Sequence, residues 1–598
     1  MNSPYKTQPP KALAGDIFRL RRFLRELNTR GARKLLLGRK RMPNDKLDFG
    51  LYQSSGQLEP RRYTSGKTQA DMIEEIVDAF GSNDIVFLKA TVGSGKSAVG
   101  LRTILEFGRG IVSVPTKVLS DQYVAAYEGE KYFMKEDGSK LKIGILKGRR
   151  NFRCKLQADK GRDFSCDNSS LPCKRHIDWK NGERRIDAVR ACPHWGFVFR
   201  SELAKSIKDA RKSPYVGIKG EWTWCMKGDC PYWQQFQAYV EADAIVMNSA
   251  KWAAELSAGR LPDVPITVVD EADYWLDSLA VKVSVTERTI GWLQDAVKRS
   301  LRFGGEDEET EMKDMVEELR DEWSENIAGK GNPIKLVQSL VKILNEIDET
   351  SGDTCWKLES VLEHKSHAEW EIWDKSITYF VPDPKIVFES IREKVGGKWL
   401  LMSATSQSSV VMKDVFGIKP TFVEGETRFP GRLVRRRLGS EEVINYRKWA
   451  DDGFKRKYWG MLERMMKKAK RPAFVPVHAH TYLHPGLRNK VRAGGDSYTF
   501  DDIMFTTKMD RGADLKGVKS VIILKFPFPD RSDPLLKGME RRLGQESFRS
   551  YYRDISGREF VQQIGRVLRS DEDEAEFWSP DEMCHSQLSR LWKGDMVG

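Results

Sequence analysis

Along this chain, short and nearly continuous apolar runs alternate with stretches whose apolar residues recur at helical spacing. "DIVFLKA" (84–90), "GIVSVPT" (110–116), "KIGILKG" (142–148), "DAIVMNS" (243–249) and "ITVVDEA" (266–272) form a first series. "KWLLMSA" (398–404), "AFVPVHA" (473–479), "DIMFTTK" (502–508) and "SVIILKFPF" (520–528) form a second. Runs of this kind followed by helices predict parallel sheets covered on both faces. Two α/β domains are expected. Two interruptions break the pattern. Residues 150–232 show few strand signals and hold six of the eight cysteines. Residues 274 to about 395 read as mainly helical, with Met312, Met315, Val316, Leu319 and Trp323 on one stripe and Leu336, Val337, Leu340, Val341 and Leu344 on another. Both stripes are read as core.

Composition adds to this picture. The 598 residues, 40% hydrophobic and 31% charged, suffice for three or four domains. No run is long and apolar enough for a membrane span, and the N-terminus lacks an apolar signal core, so an intracellular protein with no membrane partner is expected. A net charge of +14 favours a polyanionic partner. The charge is uneven: Arg19 to Arg41 is dense in arginine, with Leu20, Leu24 and Leu27 at helical spacing, whereas Glu306 to Glu325 is acidic. The first segment reads equally as a basic arm on nucleic acid or as a helix packed through its leucines.

The chemistry begins at the end of the first strand. "ATVGSGKS", Ala90 to Ser97, matches a phosphate-cradling loop with Ala in place of its first Gly. Gly93 and Gly95 permit the tight turn around Ser94, Lys96 reaches phosphates, and Ser97 ligates magnesium. "ITVVDEAD" sets Asp270 and Glu271 at the carboxyl end of a buried strand, where ligands of α/β sheets bind. Asp270 is expected to hold magnesium through water and Glu271 to act as general base. In the second series, "QQIGRVLR" places Gln562, Arg566 and Arg569 on related helical faces, the two arginines fit to reach a γ-phosphate from another domain. Mg-ATP hydrolysis is the reaction these groups predict.

Taken together, these motifs resemble superfamily 2 helicases, and more closely the XPD/DinG-like iron-sulfur DNA helicases, over residues 60 to 575. Gln69 in "TSGKTQADM" stands where that family recognises adenine, "VPTKVLSDQ" (114–122) looks like its first strand-contacting motif, and "MSATS" (402–406) like the motif coupling nucleotide to nucleic acid. "FTTKMDRGADLKG" (505–517) is similar to its fifth motif, with Gly512 and Asp514 in place. The sequence departs in reading DEAD, where relatives usually carry His at the position of Asp273, and in having Arg511 where they carry an acid.

The resemblance implies an α/β fold of two RecA-like P-loop motor domains with a cluster insertion and a helical arch in the first. The expected bounds are a basic arm (1–45), motor domain 1 (46–149, 233–273 and 396–435), an iron-sulfur domain (150–232), an arch (274–395) and motor domain 2 (436–598). It further implies an ATP-dependent, monomeric motor that tracks single-stranded DNA 5′-to-3′ and opens duplex junctions. The alternatives are a translocase without strand separation and a recruitment subunit of a larger nucleoprotein complex.

Cys225 and Cys230 stand with four residues between them in "EWTWCMKGDCPYW", a pattern open to a disulfide, zinc or an iron-sulfur cluster. So few cysteines in a reducing compartment argue against disulfides. Flanking resemblance favours a [4Fe-4S] cluster on Cys154, Cys192, Cys225 and Cys230, with Cys173 the rival to Cys192 and zinc the rival metal. Trp222, Trp224, Tyr232 and Trp233 are read as shielding the site, with base stacking the alternative. His176, His194, His478 and His480 are read as ordinary polar residues.

Overall fold

The computed structural model describes residues 48–168, 171–174, 177–178, 183–184, 190–301, 306–346, 353–495, 497–507, 515 and 517–597. The basic arm (1–45) lies outside them, and Phe49–Gly598 is a compact unit.

A seven-stranded sheet organises the first lobe. Its order is Thr421–Glu424, Ile85–Lys89, Lys398–Ser403, Ile266–Asp270, Gly110–Val114, Ala244–Asn248 and Ile143–Leu146. Every neighbouring pair is parallel. Gly110–Val114 and Ile266–Asp270 are buried throughout, as befits strands covered on both faces. Register fixes the chemistry. Asp270 pairs with Met402, and Ser403 with Lys89, so the phosphate loop, the DEAD segment and "MSATS" leave one edge of the sheet from three adjacent strands.

The second sheet runs Ser497–Phe500, Ile503–Thr506, Ala473–Pro476, Ser520–Ile522, Glu574–Trp578, Phe429–Arg435 and Gly594–Val597. Only its first pair is antiparallel. Phe429–Arg435 pairs within this sheet, so the chain leaves the first lobe between Glu424 and Phe429, ahead of the expected boundary at 435. The reason is local. "FPGRLVR" contains Pro and Gly and carries a register irregularity, and it lacks the continuous apolar run of the other strands.

The insertions differ from their sequence reading in one respect each. Residues 190–226 include a three-stranded antiparallel sheet, in the order Arg211–Gly217, Gly220–Met226 and Gly196–Arg200, where few strand signals were visible. Among the described residues the second insertion carries five helices, Glu287–Leu301, Glu306–Ile327, Pro333–Glu346, Asp353–Glu363 and Pro384–Val395. These accompany an antiparallel sheet of Val281–Thr286, Ser376–Val381 and Glu369–Trp373. Of the two apolar stripes, Leu319, Leu336, Val337 and Leu340 are fully buried and Met315, Trp323, Val341 and Leu344 nearly so, whereas Val316 is half-buried and the Met312 side chain lies outside those described.

Candidate active site

The phosphate loop turns through two glycines at positive φ, Gly93 at 76° and Gly95 at 82°, before the helix Lys96–Phe107 begins. A Cβ at Gly95 would lie 2.3 Å from Gln69 Nε2, so a larger residue would displace that side chain and be strained at this positive φ. Three side chains hold the loop's carbonyls from the preceding segment. Arg61 donates to Gly93 O, Tyr63 Oη to Ser94 O at 2.9 Å, and Gln69 Nε2 to Gly95 O at 3.3 Å. Gln69 is itself fixed, because its Oε1 accepts the Arg61 N–H at 2.9 Å. Lys96 Nζ folds back to Ala90 O at 2.9 Å and Thr91 O at 3.1 Å. A cleft of 530 Å³ opens against this loop, lined by Thr91, Ser94 and Arg61 from the first lobe and by Arg432 and Arg569 from the second.

The acidic pair follows the central strand. Asp270, nearly fully buried, accepts from Tyr123 Oη at 2.9 Å through Oδ2 and from the Glu271 N–H at 3.0 Å through Oδ1. Burial raises its pKa above the ordinary carboxylate value, and the Lys96 charge opposes that shift. Glu271 adopts a left-handed conformation, φ 52°, uncommon outside glycine and typical of constrained functional positions. Ser403 Oγ reaches its carboxylate at 3.3 Å.

Asp273, fully buried, joins three motifs. Its carboxylate accepts from Ser403 Oγ at 2.7 Å, Thr405 Oγ1 at 2.7 Å and Gln562 Nε2 at 2.9 Å. Arg558, one helical turn before Gln562, adds a contact at 3.4 Å and forks onto Asp277 at 2.9 and 3.1 Å. Thus "DEAD" and "MSATS" of the first lobe meet the arginine-bearing helix of the second. Of that helix's predicted residues, Gln562 is in this network, and Arg569 O lies 3.2 Å from where a Cβ on Gly93 would stand. Arg566 is buried at the helix end. Gly512 and Asp514 lie outside the described residues. Tyr63, Tyr123 and Arg558 were not singled out from sequence; only the position of Arg558 four residues before Gln562 offered a signal.

In the cysteine region, the charge of Cys173 is felt by Cys154, Cys166, Cys192 and Cys230. Arg149 donates to the thiols of Cys166 at 3.6 Å and Cys173 at 3.4 Å. Cys225 is fully buried within its strand, paired with Phe197 and Lys212, in an apolar cluster against which Cys173 and Cys192 pack, and the charge it feels is that of Lys212. Burial pushes the Cys230 and Cys225 thiols up to about 11. Among the described residues, no group of three or more His, Cys, Asp or Glu side chains is arranged to hold a metal ion. Both nitrogens of His194 are engaged, by Asp229 and Asp159 at 2.6 Å each. Trp222, Trp224, Tyr232 and Trp233 are all buried, which removes base stacking as their role in this arrangement. His176 lies outside the described residues.

Among the described residues, no helix is long and apolar enough to cross a membrane. Residues 499–591 match the helicase C-terminal domain family. No curated protein sequence matches the chain. A solved XPD helicase superposes with a TM-score of 0.53 at 16% identity, covering 88% of this chain and 99% of that one. A structure titled XPD apo gives 0.50 at 15% identity, covering 88% and 99%. The Xpd4 structure from S. tokodaii gives 0.49 at 12%, covering 89% and 99%. The chain has the fold of the XPD-like superfamily 2 helicases, with a helicase C-terminal domain in its second lobe.

Proposed function

We propose that this protein is an ATP-dependent DNA helicase that moves on single-stranded DNA, 5′-to-3′, and couples Mg-ATP hydrolysis to duplex unwinding. The observation that carries the proposal is the Asp273 network, in which the acidic segment, "MSATS" and Gln562 of the opposite lobe share one carboxylate. A group shared in this way makes nucleotide chemistry on one lobe depend on the position of the other.

In this reading Lys96 leaves the Ala90 and Thr91 carbonyls to meet the β- and γ-phosphates of ATP. Ser97 and Asp270 are the magnesium-holding residues, and bound magnesium supplies charge neutralisation at the phosphates. Glu271 orients and deprotonates the attacking water, and Arg566 and Arg569 offset negative charge developing on the γ-phosphoryl group. Gln69 reads adenine from beside the loop that it braces. Gly512 and Asp514 are assigned to the nucleic-acid side.

A metal centre in the first insertion belongs to the same proposal. The donors that come together are thiols, and His194 has both nitrogens engaged by carboxylates. The proposed centre is a four-thiolate [4Fe-4S] cluster on Cys154, Cys192, Cys225 and Cys230, with Cys173 the rival to Cys192; Cys173 and Cys192 both pack against the buried apolar cluster that contains Cys225. When bound, the cluster supplies a covalent staple across the insertion. Zinc on the same thiolates is the competing occupant.

The test is Lys96→Ala in the full chain. Single-stranded DNA is expected to stimulate ATP hydrolysis by the wild type, and the variant to lose that turnover while keeping its fold. Undiminished hydrolysis refutes the site, and stimulated hydrolysis without unwinding of a tailed duplex refutes the helicase assignment in favour of a translocase.

A further inference from the structure

The buried phenol of Tyr123 lies between the two side chains assigned to magnesium. It donates to Asp270 Oδ2 at 2.9 Å, and the Ser97 hydroxyl hydrogen-bonds to it from the other side. With the Glu271 N–H on Oδ1, both oxygens of Asp270 are fixed, so the carboxylate cannot rotate without breaking a bond. Ser97 has a single proton. Directed at the phenol oxygen, it leaves the hydroxyl lone pairs for a cation.

Tyr123 belongs to neither the phosphate loop nor the acidic segment. It sits in the last turn of the helix Lys117–Val124, whose Thr116 cap accepts the Leu119 N–H at 3.3 Å. Thr116, Lys117 and Leu119 are part of "VPTKVLSDQ", the segment placed on the nucleic-acid strand. The helix continues directly into a π-helical turn, Ala125–Glu130. Such wide turns interrupt regular helices frequently at functional sites. One rigid element about two turns long therefore has the strand-contacting segment at its start and the magnesium-side phenol at its end.

We infer that Tyr123 is a positioning residue that transmits the seating of single-stranded DNA on the helix Lys117–Val124 to the magnesium-holding pair Ser97 and Asp270. The inference rests on the helicase reading and specifies how its two ligands are linked. A displacement of the helix by the strand moves the phenol, and with it the hydroxyl and the carboxylate. Phenylalanine retains the buried ring and its packing near Tyr127 but can neither donate to Asp270 nor accept from Ser97.

The experiment measures binding without turnover. A fluorescent, non-hydrolysable ATP analogue is bound to the full chain and titrated with magnesium, with and without an oligothymidine strand. For the wild type, the strand is expected to lower the magnesium midpoint. For Tyr123→Phe the midpoint should rise about tenfold or more, the size of one lost hydrogen bond to a charged group, and the strand-induced shift should vanish. Analogue binding in excess EDTA should be unchanged. Tyr127→Phe, one turn on, should keep the shift. A wild-type-like midpoint and shift in Tyr123→Phe overturns the inference alone, as does an equal loss in Tyr127→Phe, which assigns the effect to packing. Absence of any strand-induced shift in the wild type overturns the inference together with the coupling on which the helicase reading depends.

Discussion

Truncating Arg558 should cost more than removing any other single side chain between the lobes. Its guanidinium meets three carboxylates: Asp554 at 2.7 Å through Nε, Asp277 at 2.9 and 3.1 Å through the two terminal nitrogens, and Asp273 at 3.4 Å. The Arg558 side chain is 6% exposed, and the three partners are 12% or less. The acids around it hold its pKa well above the ordinary arginine value despite burial. Arg558→Ala leaves three carboxylates within one dry cluster, and breaking a buried pair in this way costs about 3 to 5 kcal/mol. Because Asp273 and Asp277 follow the central strand of the first lobe whereas Arg558 lies on a second-lobe helix, the loss falls on the lobe interface. Unfolding of a chain with several domains is not a single two-state event, so the assay is a double-mutant cycle. Arg558→Ala, Asp277→Asn and the double variant are compared by urea unfolding followed through tryptophan fluorescence. The double variant should be less destabilised than the sum of the singles by at least about 1 kcal/mol. Additive effects, or an Arg558→Ala cost below about 1 kcal/mol, would refute the reasoning.

Two further outcomes test other parts of the molecule. Cys192→Ser should lose iron and visible absorption in anaerobically purified protein whereas Cys173→Ser retains both; the reverse pattern would make Cys173 the ligand in its place, and stoichiometric zinc without iron would remove the cluster. His478 is pushed from 6.5 down to about 4 by burial and by the neighbouring Lys525 charge, so it stays neutral in the folded chain at pH values where the unfolded chain is protonated. Stability should therefore fall as pH drops from about 6.5 towards 4, by on the order of 2 to 3 kcal/mol. His478→Gln should flatten that slope in a series of thermal melts, and an unchanged slope would exclude the histidine as its source.

Much of the architecture was legible because the nine apolar runs are strands buried in parallel sheets, where a near-continuous hydrophobic stretch is what packing on two faces demands. The strands that escaped notice lack that signature. "GEWTWCM" is buried over most of its length through tryptophans, threonine and cysteine, residues that also suit a binding site, and "FPGRLVR" carries a proline and a glycine. The same strand explains the cysteines. Closeness in sequence made Cys225 and Cys230 look like a pair. Strand pairing sets Cys225 in a sheet whose buried cluster meets Cys173 and Cys192, whereas Cys230 caps the helix that follows.

Within the site, groups set by short spacing, such as Lys96, Ser97, Asp270 and Glu271, could be read directly, whereas Arg558 and Asp277, 281 residues apart, could not. That unread pair accounts for the residue at which this chain departs from the pattern of the helicases it resembles. Four donors meet the Asp273 carboxylate: two hydroxyls, the Gln562 amide and the Arg558 guanidinium. A neutral histidine offers one acceptor nitrogen and cannot satisfy four donors, and a protonated one would place a second cation against Arg558 in a site closed to water. An aspartate answers all four donors and shares the arginine's charge with Asp277 and Asp554. The acid at position 273 and the arginine at 558 thus answer one another across the interface between the lobes.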